Sequence, residues 1–167
     1  MELVTKQKAV IQRLPEELVS SAVFLLKRLG MSAKERSLEE YETTGLRPYH
    51  HAILLVLDEG SVETQGAIAD ALGYDRGQLV GLLDELEEGG LIERRRDPSD
   101  RRRHVVQMTP AGRKALARLR TLSAKLEREF LAPLDEGERE VLHRLLLRLA
   151  EEHVAACRVT RPLDTTL

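Results

Sequence analysis

One stretch constrains this chain more than any other. Between Thr64 and Met108 lie two short runs with helical apolar spacing, each stopped by glycine, and then two strand-like runs around a polar loop. The first run, Thr64 to Leu72, places Ile68, Ala69 and Leu72 on one face and ends at Gly73. The second, Asp75 to Glu88, turns Leu79, Leu82, Leu83 and Leu86 inward and ends at Gly89-Gly90. Apolar residues recurring every three or four positions mark an amphipathic helix, and glycine marks its end. Two such helices joined by a short Gly-containing turn make a helix-turn-helix. Leu91 to Arg94 and His104 to Met108 then read as strands flanking the turn signal Asp97-Pro98-Ser99-Asp100, so a β-hairpin follows directly.

The flanks are helical. Leu14 to Leu29 carries Leu18, Ala22, Leu25, Leu26 and Leu29 in register, with Gly30 as its expected stop. Ser32 to Thr44 is polar and reads as a connection or a short helix. Pro48 opens a short helix through Leu57, apolar on every side and so expected to be buried. Thr109-Pro110 reads as an N-cap and first helical residue of a long helix to about Leu131, broken by Pro133. Asp135 with Glu138 resembles a capping box for a last helix with Val141, Leu142, Leu145, Leu146 and Leu149 as its stripe. The expected division is 1–44, an N-terminal helix and connection; 45–112, the helix-turn-helix with its hairpin; and 113–167, the C-terminal helices and tail. The terminal helices hold more Leu than the middle segment can cover, and an interface between two copies is the simplest use for it.

Composition narrows the class. Thirty residues are Leu and only five are aromatic, which disfavours an all-β fold. The longest apolar run, Ala52 to Leu57, is too short to span a membrane. The single Cys157 excludes an intramolecular disulfide framework. With no secretory pattern at the N-terminus, a cytoplasmic location is expected. Net charge is -2, from 26 basic and 28 acidic side chains, so the chain cannot coat nucleic acid through bulk charge. Binding DNA requires charge gathered in one place, and Arg94 to Arg103 gathers six Arg against two Asp.

The second helix of a helix-turn-helix enters the major groove with its N-terminal residues at the base edges. Here that helix opens Asp75-Arg76-Gly77-Gln78. Arg can fork onto guanine and Gln onto adenine, which makes Arg76 and Gln78 the candidates for base readout. The alternative is two solvated surface residues. An Arg-bearing hairpin beside that helix can reach a minor groove, whose narrow form concentrates negative potential. Arg94, Arg95, Arg96, Asp100, Arg101, Arg102 and Arg103 are its candidate residues; the alternative is a solvated loop.

From Gly45 through Gly112 these residues resemble the MarR (multiple antibiotic resistance regulator) family of winged helix-turn-helix proteins. The resemblance is carried by Gly90-Leu91-Ile92-Glu93-Arg94, then Asp97-Pro98-Ser99-Asp100-Arg101-Arg102, then Met108-Thr109-Pro110-Ala111-Gly112. It implies a mainly α fold with a small β-hairpin wing, flanked by N- and C-terminal dimerisation helices. It further implies a homodimer on a near-palindromic double-stranded DNA operator, with Arg102 at the wing tip and Asp100 bracing it. A repressor released by a small aromatic or phenolic effector is the expected function. Gly81 departs from the pattern, since many members carry a polar or basic residue there.

His50 and His51 open the helix after Pro48, near the ligand crevice in the family pattern, and are the candidate effector contacts. The alternative is one surface and one core-edge histidine. His153 and Cys157 share a helix face, but two ligands are too few for a metal site. No Gly-rich phosphate loop or nucleophile elbow is present, so neither an enzyme nor a cofactor is expected. The competing reading is a winged-helix protein-interaction module that never touches DNA. Salt separates the two, because DNA affinity falls steeply through counterion release.

Overall fold

In a computed structural model of the chain, residues 13–60, 62–97, 100, 104–154 and 157 are described. The chain divides into two compact units, residues 1–36 and 37–167. The elements in order are α1 (Glu16–Val19), α2 (Ala22–Glu42), α3 (Pro48–Gly60), β1 (Val62–Thr64), α4 (Gln65–Leu72), α5 (Arg76–Glu88), β2 (Ile92–Arg96), β3 (His104–Met108), α6 (Pro110–Phe130) and α7 (Glu136–His153). The mainly helical architecture with a small β-sheet follows the sequence expectation.

Two local readings need correction. Gly30 does not stop a helix: α2 runs through it to Glu42, so of the two readings of Ser32 to Thr44 the helical one holds, as the continuation of α2 and not as a separate short helix. Glycine ends helices by adopting positive φ, and Gly30 does not adopt it. In a helix interior it then costs only about 1 kcal/mol relative to Ala. The break lies earlier, at Ser20 and Ser21, between α1 and α2. The second correction is β1, which turns the expected hairpin into a three-stranded antiparallel sheet of order β1-β3-β2. Its three residues pair Val62 with Gln107, Glu63 with Val106 and Thr64 with Val105. A strand this short leaves no alternation to detect.

The middle of the chain is positioned by its caps and its core. Thr64 Oγ1 accepts from the Ala67 N–H at 3.1 Å, starting α4. Gly73 ends α4 with φ 65°, and Asp75 Oδ1 accepts from the Gly77 and Gln78 N–H groups at 2.8 and 3.2 Å, starting α5. The helix-turn-helix is therefore fixed by residues within its own turn. Beneath it lies one core. Ile53, Leu54 and Leu57 of α3 meet Ile68 of α4, Leu79, Leu83 and Leu86 of α5, Ile92 and Val106 of the sheet, and Leu116 and Leu119 of α6. Of the three inward positions read for α4, Ile68 and Ala69 are buried, and all four read for α5 are buried, so each of the two helices has its apolar face filled.

The wing is rooted where β2, β3 and α6 meet. Thr109 Oγ1 accepts from the Gly112 N–H at 3.0 Å and donates to the Gly90 carbonyl at 2.7 Å. A Cβ at Gly112 would collide with the Leu91 carbonyl oxygen and with Met108 Cγ. Glycine is required there by close backbone approach. Asp135 and Glu138 form the full capping box that starts α7.

Candidate nucleic-acid interface

α5 presents two different ends. Its first two turns expose Arg76, Gly77, Gln78, Val80 and Gly81, while Leu79, Leu82 and Leu83 hold it to the core. Its last two turns carry Asp84, Glu85, Glu87 and Glu88. That acidic end would repel phosphates, and cations from neighbouring elements cover much of it. Arg47, just before α3, reaches Glu85 at 2.5 Å. Arg94 of β2 reaches Glu87 at 2.5 Å and Asp84 at 2.6 Å. The Arg47 hydrogen bonds hold the Glu85 carboxyl below the usual carboxylate range, with the nearby His50 adding to the effect. The Arg94 hydrogen bonds do the same for Glu87.

Arg94 therefore differs from the other wing arginines. Its side chain is 22% exposed. Its backbone N–H donates to Glu87 Oε1 at 2.9 Å and its Nε to Glu87 Oε2 at 2.8 Å. Glu87 thus grips both the backbone and the side chain of the first half of β2. Arg95 is exposed and bonded to Glu93 of its own strand at 2.8 Å. Arg96 is exposed, and Asp100 is exposed in the loop. Arg101, Arg102 and Arg103, with the wing-tip role expected for Arg102, lie outside the described residues. Arg76 and Gln78, the expected base readers, sit at the exposed start of α5 with their side chains directed away from its apolar face.

The two histidines are buried rather than open to solvent, at 2% and 7% exposure for His50 and His51. His50 Nδ1 accepts from the Arg47 N–H at 3.1 Å, so its neutral form carries the proton on Nε2. Glu85 Oε2 lies 3.0 Å from that Nε2. The approach lacks hydrogen-bond alignment, and Nε2 is left without a hydrogen-bond partner among the described residues. His51 Nδ1 shares a 2.7 Å hydrogen bond with the Tyr41 hydroxyl. Its Nε2 is also buried without a partner among them. Burial pushes both imidazoles below the ordinary histidine value; Glu85 opposes this at His50, and Arg120 adds to it at His51.

The sequence did not single out Arg47, Glu85 or Glu87. Asp84 and Glu87 stand three apart on α5, hence on one face, and Arg94 follows one strand later. That spacing was the available signal for Arg94 as a brace. Nothing in the spacing joins Arg47 to Glu85, because 38 residues separate them and only the fold brings them together.

Among the described residues no helix is long and apolar enough to cross a membrane. A family model described as the MarR family matches residues 44–103. A protein of Thauera aromatica, named for transcriptional regulation of its hcr operon, is 37% identical over 127 residues, covering 75% of this chain and 76% of its own length. Among solved structures, the transcriptional repressor CouR bound to a 23-mer DNA duplex is similar at a TM-score of 0.76 and 35% identity, over 83% of this chain and 99% of that one. PcaV of Streptomyces coelicolor, in complex with its natural ligand, is similar at a TM-score of 0.69 and 25% identity, over 83% and 98%. With the winged helix, the exposed start of α5 and the Arg-bearing strand braced on the last turns of α5, these likenesses establish that the chain belongs to the MarR family and is a DNA-binding transcriptional regulator.

Proposed function

We propose that this chain is a cytoplasmic repressor that binds a near-palindromic operator as a homodimer and is released by a small aromatic or phenolic effector. The observation that carries the DNA half is the polarity of α5. Its uncovered first turns offer Arg76 and Gln78, while its acidic end is held by Arg47 and Arg94. The start of α5 enters the major groove, and Arg95, Arg96, Arg101, Arg102 and Arg103 serve the phosphates and the adjacent minor groove, with Asp100 bracing Arg102. Arg94 braces the wing against α5 instead of touching DNA. The similarity to CouR, which was solved on a DNA duplex, supports this reading.

The effector half rests on His51. Its buried Nε2 has no partner among the described residues, which is costly unless a ligand or water satisfies it, and the similar PcaV was solved with its natural ligand. His50, between Arg47 and Glu85, links that region to α5. No catalytic step belongs to this reading.

The test is a gel shift on a duplex that the wild-type protein enriches from a random pool, set against a scrambled duplex. Gln78→Ala and Arg76→Ala are expected to lose roughly 1–3 kcal/mol on the enriched duplex and little on the scrambled one. Equal losses on both would remove these residues from base readout.

A further inference from the structure

Two neighbouring positions in the middle of α5 carry residues that the fold itself does not ask for. Gly81 has no positive φ, and a Cβ built there would meet nothing within 4 Å among the described residues. This separates it from Gly112, where backbone collides, and from Gly73 and Gly90, where φ is positive. Even Gly77 has a local reason, since its Cβ would crowd the cap Asp75 Oδ1 at 3.1 Å. Alanine at position 81 would make a better helix at no steric cost. Val80 is the second oddity. It is a β-branched apolar side chain, 42% exposed, on an otherwise polar outer surface of α5. Local rules broken without an internal gain are expected where a molecule meets its partner.

Resting on the reading that α5 enters the major groove, we infer that Val80 and Gly81 form an apolar reading element for thymine. The missing Cβ at Gly81 lets the helix backbone close on the base-pair edges. That approach seats the Val80 isopropyl group on the C5 methyl of a thymine, the one apolar group displayed on the major-groove edge of any base pair. Gln78 and Arg76 lie one turn toward the N-terminus, so the thymine falls beside the base pairs they read. The acidic turns beyond, from Asp84 onward, mark where close approach ends.

The experiment uses the full-length protein and the duplex it enriches. Each thymine is replaced in turn by deoxyuridine, which removes only the methyl group. One position per half-site is expected to cost wild type about fourfold in affinity, the worth of one buried methyl. Val80→Ala is expected to be weaker on the thymine duplex and indifferent to that replacement. Gly81→Ala is expected to raise Tm by about 2–4 °C and yet weaken binding to the enriched duplex by tenfold or more. Gain of stability with loss of binding excludes misfolding as the cause. Wild-type binding insensitive to every deoxyuridine, or Gly81→Ala binding at wild-type strength, overturns the inference and leaves the proposed function standing. Failure of wild type to enrich any duplex overturns both.

Discussion

Removing the Arg94 guanidinium would leave Asp84 and Glu87 on one face of α5 without the cation that joins them to β2. Arg94→Ala is expected to destabilise the fold by about 1–2 kcal/mol, read as a lowered urea midpoint, because charged hydrogen bonds in a partly buried site are lost. Arg94→Lys should recover only part of this, since an ammonium cannot reproduce the forked contact. An unchanged midpoint in Arg94→Ala would show that the brace contributes nothing. The histidines give a second expectation. The folded chain holds His50 and His51 below the ordinary histidine value, near 6.5. The unfolded chain therefore binds more protons as pH falls. Their contribution to stability is full above about pH 6.5 and is lost as pH falls from there toward the lowered folded values. Tm measured from pH 7 to 5 should drop less in His50→Gln than in wild type. Equal drops would mean that His50 does not carry the titration. The identities of these side chains were legible from sequence; their roles were not. Arg94 looked like one more wing cation because a sequence does not show which carboxylates turn toward it.

Among the elements, those with strong local signals were legible. Asp75, Thr109 and Asp135 were readable as helix starts, and each caps its helix in the structure. Asp75→Ala should cost about 1 kcal/mol, since two backbone donors at the start of α5 lose their acceptor. What failed were signals that depend on packing elsewhere. Gly30 has the chemistry of a stop, but its neighbours continue the helix on both sides. β1 exists because β3 offers it an edge, not because three residues prefer to be extended. Gly112 belonged to the motif that pointed to the family, and its physical reason emerged only when Leu91 and α6 were seen in contact. Gly112→Ala is expected to destabilise by about 2 kcal/mol or more, because the obstacle is a backbone carbonyl that cannot swing away. Thermal unfolding of the variant at wild-type temperature would contradict that account.

For the whole molecule, the exposed leucines matter most. α7 has no buried residue, and Val141, Leu145, Leu146 and Leu149 all stand exposed along it. Leu18, Leu25, Leu26 and Leu29 are exposed in the N-terminal unit. Apolar stripes of this extent mark interaction surfaces, and a second copy is the proposed occupant. Leu145→Glu with Leu149→Glu should give monomers in sedimentation at micromolar concentration, with retained helical circular dichroism. A dimer of unchanged strength would remove α7 from the interface. The central claim, that an acidic protein binds DNA through one concentrated surface, is tested most directly by salt. The affinity of the wild-type protein for its enriched duplex is measured across ionic strength. Each neutralised phosphate contributes a slope of about -0.9 in log affinity against log salt. Contacts from the wing and the start of α5 in two subunits predict a slope of roughly -4 or steeper. A slope near zero would contradict the account and favour a surface that recognises another protein.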